Sequence, residues 1–166
     1  MRYYLCLGSN LQNPSLQLDQ AISALKAQAE IRLIRLSSRL QTKAYGYTDQ
    51  PDFYNQILEV ESSLVPQILL QRLLDIEQAM GRVRKTKWGP RIIDIDILLA
   101  DDLVLDTRTL GDKADLPELI LPHPDLHNRL FVLSLLCELI PNALHPIMHK
   151  SYSELYYQLR NPGGTQ

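Results

Sequence analysis

Arg91-Ile92-Ile93-Asp94-Ile95-Asp96-Ile97-Leu98-Leu99 is a run of aliphatic residues interrupted twice by aspartate. A short apolar run of this kind reads as a buried strand, here over residues 92–99. Side chains alternate at ~3.3 Å per residue, so Asp94 and Asp96 project to one side about 7 Å apart at the backbone. Working outward, three more strands precede this one. Residues 3–7 read as the first, after which Asn13-Pro14 supplies an N-cap with proline at the first helical position. Leu18, Ile22, Leu25 and Ala29 continue that helix with one apolar stripe. Residues 31–40 return as a second strand and 53–61 as a third, separated by a loop over 41–52 that holds Gly46, Thr48, Asp49 and Pro51. Pro66 opens a second helix with Leu69, Leu73, Ile76 and Met80 on one face, and Gly81 stands where a left-handed stop belongs. Strand, helix, strand, strand, helix, strand is the order of the ferredoxin-like sandwich. The expected class is α+β, a βαββαβ unit with an antiparallel sheet. A long connection to Pro124 and additional C-terminal helices over 128–139 and 151–160 complete the chain, the last opened by a capping-box spacing of Ser151 and Glu154.

A chain of 166 residues suits one domain, 1–166, because that length encloses a single apolar core. Hydrophobic residues at 45% and charged residues at 22% are globular proportions, which argues against disorder. A net charge of -2 argues against a protein that coats nucleic acid or anionic membrane, so any basic site is local. The N-terminal apolar run is too short for a signal peptide and no stretch approaches ~20 apolar residues, so a cytoplasmic location is expected. Cys6 and Cys137 lie in apolar segments and read as reduced, buried thiols.

Two aspartates among isoleucines need a reason. Like charges with apolar neighbours raise each other's pKa unless cations compensate, and hard oxygen ligands beside phosphates suit Mg²⁺. The competing reading is a set of ion pairs to nearby arginines. Immediately upstream, Gly81-Arg82-Val83-Arg84-Lys85-Thr86-Lys87-Trp88-Gly89-Pro90-Arg91 places five cations and no acid in one loop. Arginine forks match phosphate oxygens, and Trp88 could stack on a base or close a lid; a solvated basic loop is the bland alternative. Metal ligands beside phosphate-binding cations are what phosphoryl transfer requires. Neither a Walker loop nor a Gly-x-Gly-x-x-Gly fingerprint occurs. His123 and His127, like His145 and His149, have the spacing of helical zinc ligands, but Pro124 and Pro146 disrupt the helices needed. Phe53 and Asn55, two apart on a strand, put a flat ring and an amide on the same side, a pair suited to a planar heterocycle or to ordinary core packing.

Leu7-Gly8-Ser9-Asn10-Leu11, Asp49-Gln50-Pro51-Asp52-Phe53-Tyr54-Asn55, the basic loop with Asp94-x-Asp96, and Pro122-His123-Pro124 together resemble the 6-hydroxymethyl-7,8-dihydropterin pyrophosphokinase family. The resemblance implies a transferase that moves the terminal pyrophosphate of ATP, its co-substrate, to the pterin hydroxymethyl group in folate biosynthesis. It implies that Asp94 and Asp96 hold two Mg²⁺ ions, with Arg82, Arg84 and Arg91 joining them in catalysis. It assigns Glu77, Arg84, Lys87, Trp88, Arg91, Ile97, His123 and Arg129 to ATP. Gly8, Thr42, Tyr45, Gly46, Phe53, Asn55 and Phe131 fall to the pterin, with the two phenylalanines sandwiching its ring. A monomer with no nucleic-acid or membrane partner is expected. The competing classes are a ferredoxin-like RNA-binding module, which the missing aromatic strand signature disfavours, and a metal-binding homologue without turnover.

Overall fold

The computed structural model of the chain describes residues 1–44, 49–82, 89–109 and 115–163. The first unit runs β1 (Arg2–Ser9), α1 (Pro14–Lys26), β2 (Ile31–Leu36), β3 (Leu40–Thr42), β4 (Phe53–Ser62), α2 (Pro66–Ala79) and β5 (Asp94–Ala100). Then follow β6 (Leu105–Asp106), β7 (Ile120–Leu121), α3 (Leu130–Leu139) and α4 (Tyr152–Arg160), with 3-10 turns at Thr107–Thr109 and Leu126–Asn128. The main sheet has the order β2-β4-β1-β5, with β3 alongside β4 and every pairing antiparallel. This is the expected ferredoxin-like order, in which the first and third long strands fill the centre.

Both faces of the sheet are covered, which is why β1 is buried along nearly its whole length instead of alternating with solvent. Tyr3, Leu5, Leu7, Ile95 and Ile97 pack with Leu18 and Leu25 of α1 and Leu69 and Leu73 of α2. On the opposite face Tyr4, Cys6, Ile57 and Leu98 pack with Val132, Leu133 and Leu136 of α3 and Tyr152 and Leu155 of α4. The C-terminal helices therefore complete a third layer that the βαββαβ unit alone leaves open.

The helix signals act as read. Asn13, at φ 60°, accepts from the Leu16 N–H; Gly81 ends the second helix region at φ 89°; and Ser151 and Glu154 form a complete capping box. Several elements differ from expectation. The strand over 31–40 is two pieces, because Ser37 Oγ accepts from the Ile57 N–H and Arg39 turns away to Ser15, Asp19 and Gln56. Gln41 and Thr42 consequently belong to β3 and not to the loop. The first helix ends at Lys26, and Ala29 is exposed beyond it. The long connection contains the small β6-β7 pair, whose two-residue strands carry no periodic signal, and the third helix starts at Leu130 after a 3-10 turn.

Candidate active site

Register decides which residues meet. Asp96 stands opposite Cys6 and Asp94 opposite Gly8, and β4 extends the two rows with Ile57 and Asn55. Cys6 and Ile57 lie beneath α3 and α4, whereas Asp94, Asp96 and Phe53, toward the end of the same face, are only half-buried. The aspartates thus share the face opposite Ile95 and Ile97, as the alternation predicts.

Gly8 sits between the acidic and the aromatic residues. A Cβ there would lie 3.1 Å from Asn55 Oδ1 and 3.8 Å from the Phe53 ring, so the missing side chain lets amide and ring approach across β1. Asn55 is buried and its Nδ2 donates to Thr42 Oγ1 at 2.8 Å, which orients the amide. Phe131, in the first turn of α3, is half-buried against the core of this face. Removing the Asn55 amide should weaken pterin binding by about 1 to 3 kcal/mol, roughly 5- to 150-fold, because a polar ring edge is left unpaired. Calorimetry on Asn55→Ala with each ligand checks this. Equal losses for pterin and ATP would make Asn55 a structural residue.

The charged half of the site is a network of alternating sign. Asp94 accepts from Arg82 Nη1 at 2.5 Å and from Arg91 Nη1 at 2.8 Å. Arg82 also pairs with Glu77, whose other oxygen accepts the Ile95 N–H at 2.7 Å. Glu77 is 3% exposed and thereby joins α2 to the edge strand β5. Burial raises its pKa, Arg82 opposes that, and Asp94 adds to it. Asp96 is pushed up to about 7, by burial first and by Asp94 second, against the pull of Arg129. His123 is held below its ordinary range by burial and then by Arg129; its Nδ1 accepts the Asp125 N–H at 3.2 Å, so it is a neutral imidazole beside the cations. Arg91 stacks its guanidinium 5.4 Å from the Phe53 centroid and so touches both halves of the site. Its Nε is buried with no partner among the described residues, a donor left over for an anion.

A cavity of about 260 Å³ opens beside Asp94, Asp96, Glu77 and Arg82, with Leu70, Leu74 and Pro117 as apolar wall. Glu118 joins the lining, so four carboxylates and one guanidinium face the apolar wall. Ile97 does not line that cavity, although its neighbour Ile95 does: the Ile97 side chain is 2% exposed in the layer under α1 and α2. Tyr45, Gly46, Arg84, Lys87 and Trp88 lie outside the described residues.

Asn10 is the residue that sequence reasoning quoted but gave no role. It is 2% exposed, accepts the Arg91 N–H through Oδ1 at 2.9 Å, and donates through Nδ2 to Gln50 Oε1 and the Pro51 carbonyl at 2.9 and 3.0 Å. One amide so ties the end of β1 to the segment before β4 and the segment before β5. An asparagine two residues beyond Gly8 at a strand end was the available signal.

Comparison with known proteins places the chain in a family. Residues 4–141 match the model of the family described as 7,8-dihydro-6-hydroxymethylpterin-pyrophosphokinase. The 2-amino-4-hydroxy-6-hydroxymethyldihydropteridine pyrophosphokinase of Aquifex aeolicus is 39% identical over 151 residues, 91% of this chain and 88% of that protein. The Bacillus subtilis protein of the same name is 38% identical over 136 residues, 82% of this chain and 76% of that one. Among solved structures, an HPPK-DHPS crystallised with substrates superposes with a TM-score of 0.71 at 14% identity, covering 95% of this chain and 43% of that chain. The Plasmodium falciparum HPPK-DHPS A437G with STZ-DHP gives 0.72 at 15% identity over 95% of this chain and 45% of that one. This chain therefore spans less than half of those longer proteins, and the likeness to them is one of fold. By sequence over most of its length, the chain belongs to the 7,8-dihydro-6-hydroxymethylpterin-pyrophosphokinase family.

Proposed function

We propose that the chain performs its family's reaction on the face formed by Phe53, Asn55, Gly8, Asp94 and Asp96, transferring pyrophosphate from ATP to the hydroxymethyl group of 6-hydroxymethyl-7,8-dihydropterin in folate biosynthesis. The carrying observation is that the register of β5, β1 and β4 aligns an acid-arginine cluster with an aromatic-amide pair across Gly8. In the reaction a bond forms from the pterin hydroxyl oxygen to the β-phosphorus, the bond from that phosphorus to the oxygen bridging the α-phosphate breaks, AMP departs, and the hydroxyl proton is released.

The donor set fits a hard divalent cation. Asp94 and Asp96 are oxygen donors on one face, and among the described residues no group of three or more His, Cys, Asp or Glu is placed to hold a metal by itself, so a bound cation would take its remaining ligands from phosphate oxygens and water. Asp94 and Asp96 would hold two Mg²⁺ ions, which would supply charge neutralisation of the triphosphate. Arg82 and Arg91 bind phosphate oxygens with two-pronged geometry. Arg129 and the neutral His123 flank the nucleotide, and Glu77 holds Arg82 in place. Phe53 and Phe131 sandwich the pterin ring while Asn55 and Thr42 read its edge. Tyr45, Gly46, Arg84, Lys87 and Trp88 are assigned through the family resemblance alone. Catalysis is chiefly positioning and charge compensation. The chain acts as a single domain over 1–166 and as a monomer in the cytoplasm; no helix among the described residues is long and apolar enough to cross a membrane.

Incubation with ATP, Mg²⁺ and 6-hydroxymethyl-7,8-dihydropterin should yield one AMP per pterin diphosphate, with no product in excess chelator. ADP in place of AMP, or no turnover at all, would reject the assignment.

A further inference from the structure

The family match ends at residue 141, and beyond it lies Ala143-Leu144-His145-Pro146-Ile147-Met148-His149-Lys150-Ser151. Three of the chain's four histidines are His127, His145 and His149. His145 is 3% exposed. Its Nδ1 accepts the N–H groups of Ile147 and Met148, both at 3.2 Å. The turn is closed further by His149 N–H donating to the His145 carbonyl at 2.9 Å and His145 N–H donating to the Lys150 carbonyl at 2.8 Å. Ser151 then caps α4, and the Tyr152 N–H returns to Ala143 at 3.2 Å. The imidazole packs at right angles to His127, ring centroids 5.8 Å apart, and lies 6.2 Å from the Tyr152 ring.

Hydrogen bonding fixes the tautomer. Because Nδ1 accepts, the single proton of neutral His145 sits on Nε2, and that atom is buried with no partner among the described residues. A second proton would have to go on Nδ1, where it would face two N–H donors and cancel both bonds. The surroundings offer no compensation. His127 and His149 both act to lower the His145 pKa, Tyr152 is a phenol with Tyr4 and Asp102 acting on it in turn, and Lys150 contributes a carbonyl while its ammonium bonds Gln158. Among the described residues no carboxylate forms an ion pair with His145.

We propose that residues 143–151 are an acid-released latch: neutral His145 closes this turn and packs it on the Leu126–Asn128 turn, which leads into Arg129 and Phe131, and protonation of His145 opens the turn and loosens those two residues. The latch stands on its own geometry, and only its effect on ligand binding rests on the site assignment given above. Burial, then His127 and His149, place the His145 pKa below the ordinary histidine value. The stability it contributes is therefore present above the unfolded value of about 6.5 and is lost as pH falls through the folded value.

The test compares wild type with His145→Asn, whose side-chain oxygen can accept the same turn N–H groups but does not titrate. Between pH 8 and 5.5 the folded-to-unfolded ratio of wild type should fall about tenfold more than that of His145→Asn, the scale of losing two neutral hydrogen bonds. Equal pH dependence would overturn the latch. If His145→Asn does not fold, wild type alone decides, because protection of the Ile147 and Met148 amides against hydrogen exchange should drop about tenfold in acid relative to amides of β1. Unchanged relative protection would also overturn it. Calorimetric pterin affinity should weaken in acid several-fold more in wild type than in His145→Asn, and equal weakening would overturn the link to Arg129 and Phe131. Absence of AMP formation at pH 8 would reject the site assignment instead and leave the stability and exchange results intact.

Discussion

Asp96→Ala and Asp94→Ala should each lower turnover roughly 10³-fold if these carboxylates carry the divalent cations proposed above, because such a ligand contributes several kcal/mol to neutralising the transferred phosphates. Their effects on the ligand-free fold should differ. Among the described residues Asp96 forms neither ion pair nor hydrogen bond, and burial together with Asp94 disfavours its charged form, so Asp96→Ala keeps wild-type stability. Asp94 balances Arg82 and Arg91, so Asp94→Ala leaves the half-buried Arg91 without its carboxylate and shifts the unfolding midpoint downward. Steady-state AMP formation and urea unfolding check the two statements together. Near-wild-type turnover in either variant would remove the metal assignment, and failure of Asp94→Ala to fold would give that carboxylate to structural ion pairing.

Arg82→Met should destabilise the protein by about 3 to 5 kcal/mol, the scale of leaving one member of a buried ion pair uncompensated. The reason is specific: Glu77 is 3% exposed and cannot simply turn to water, since its other oxygen holds the Ile95 N–H. Adding Glu77→Gln removes the stranded charge while Gln can still accept that N–H, so the double variant should regain most of the stability. Its turnover should remain low by orders of magnitude, because the guanidinium proposed to bind phosphate is still absent. Recovery of both properties together would show that Arg82 serves only the fold. Recovery of neither would place the main cost elsewhere than in the isolated Glu77 charge.

Much of the fold was legible because local rules and tertiary packing agree in it. Asn13-Pro14, Gly81 and the Ser151-Glu154 pair announce helix ends through hydrogen bonds that form within a few residues of chain, so neighbours in sequence suffice to read them. The failures fall where distant groups intervene. The ladder breaks at Ser37 because its Oγ, not its carbonyl, accepts the Ile57 N–H while its own N–H still donates to the Ile57 carbonyl, and Arg39 then turns to Ser15 of α1 and to Gln56. β6 and β7 pair across residues 107–119 with two residues each, too few to show a period.

The site divides along the same line. From sequence alone one could say that Asp94 and Asp96 share a face, that a dense group of cations precedes them, and that Phe53 and Asn55 point together, because alternation along a strand is a property of the chain itself. Which faces meet is a property of register, and register is set by long-range pairing. Only the folded sheet decided that Gly8 stands between Asp94 and Asn55, that Asn10 clamps the segments before β4 and β5, and that Ile97 turns into the core. The physical reason is the period of two in a strand: a slip of one residue would send every side chain to the opposite face, and only packing against α1, α2, α3 and α4 excludes that slip.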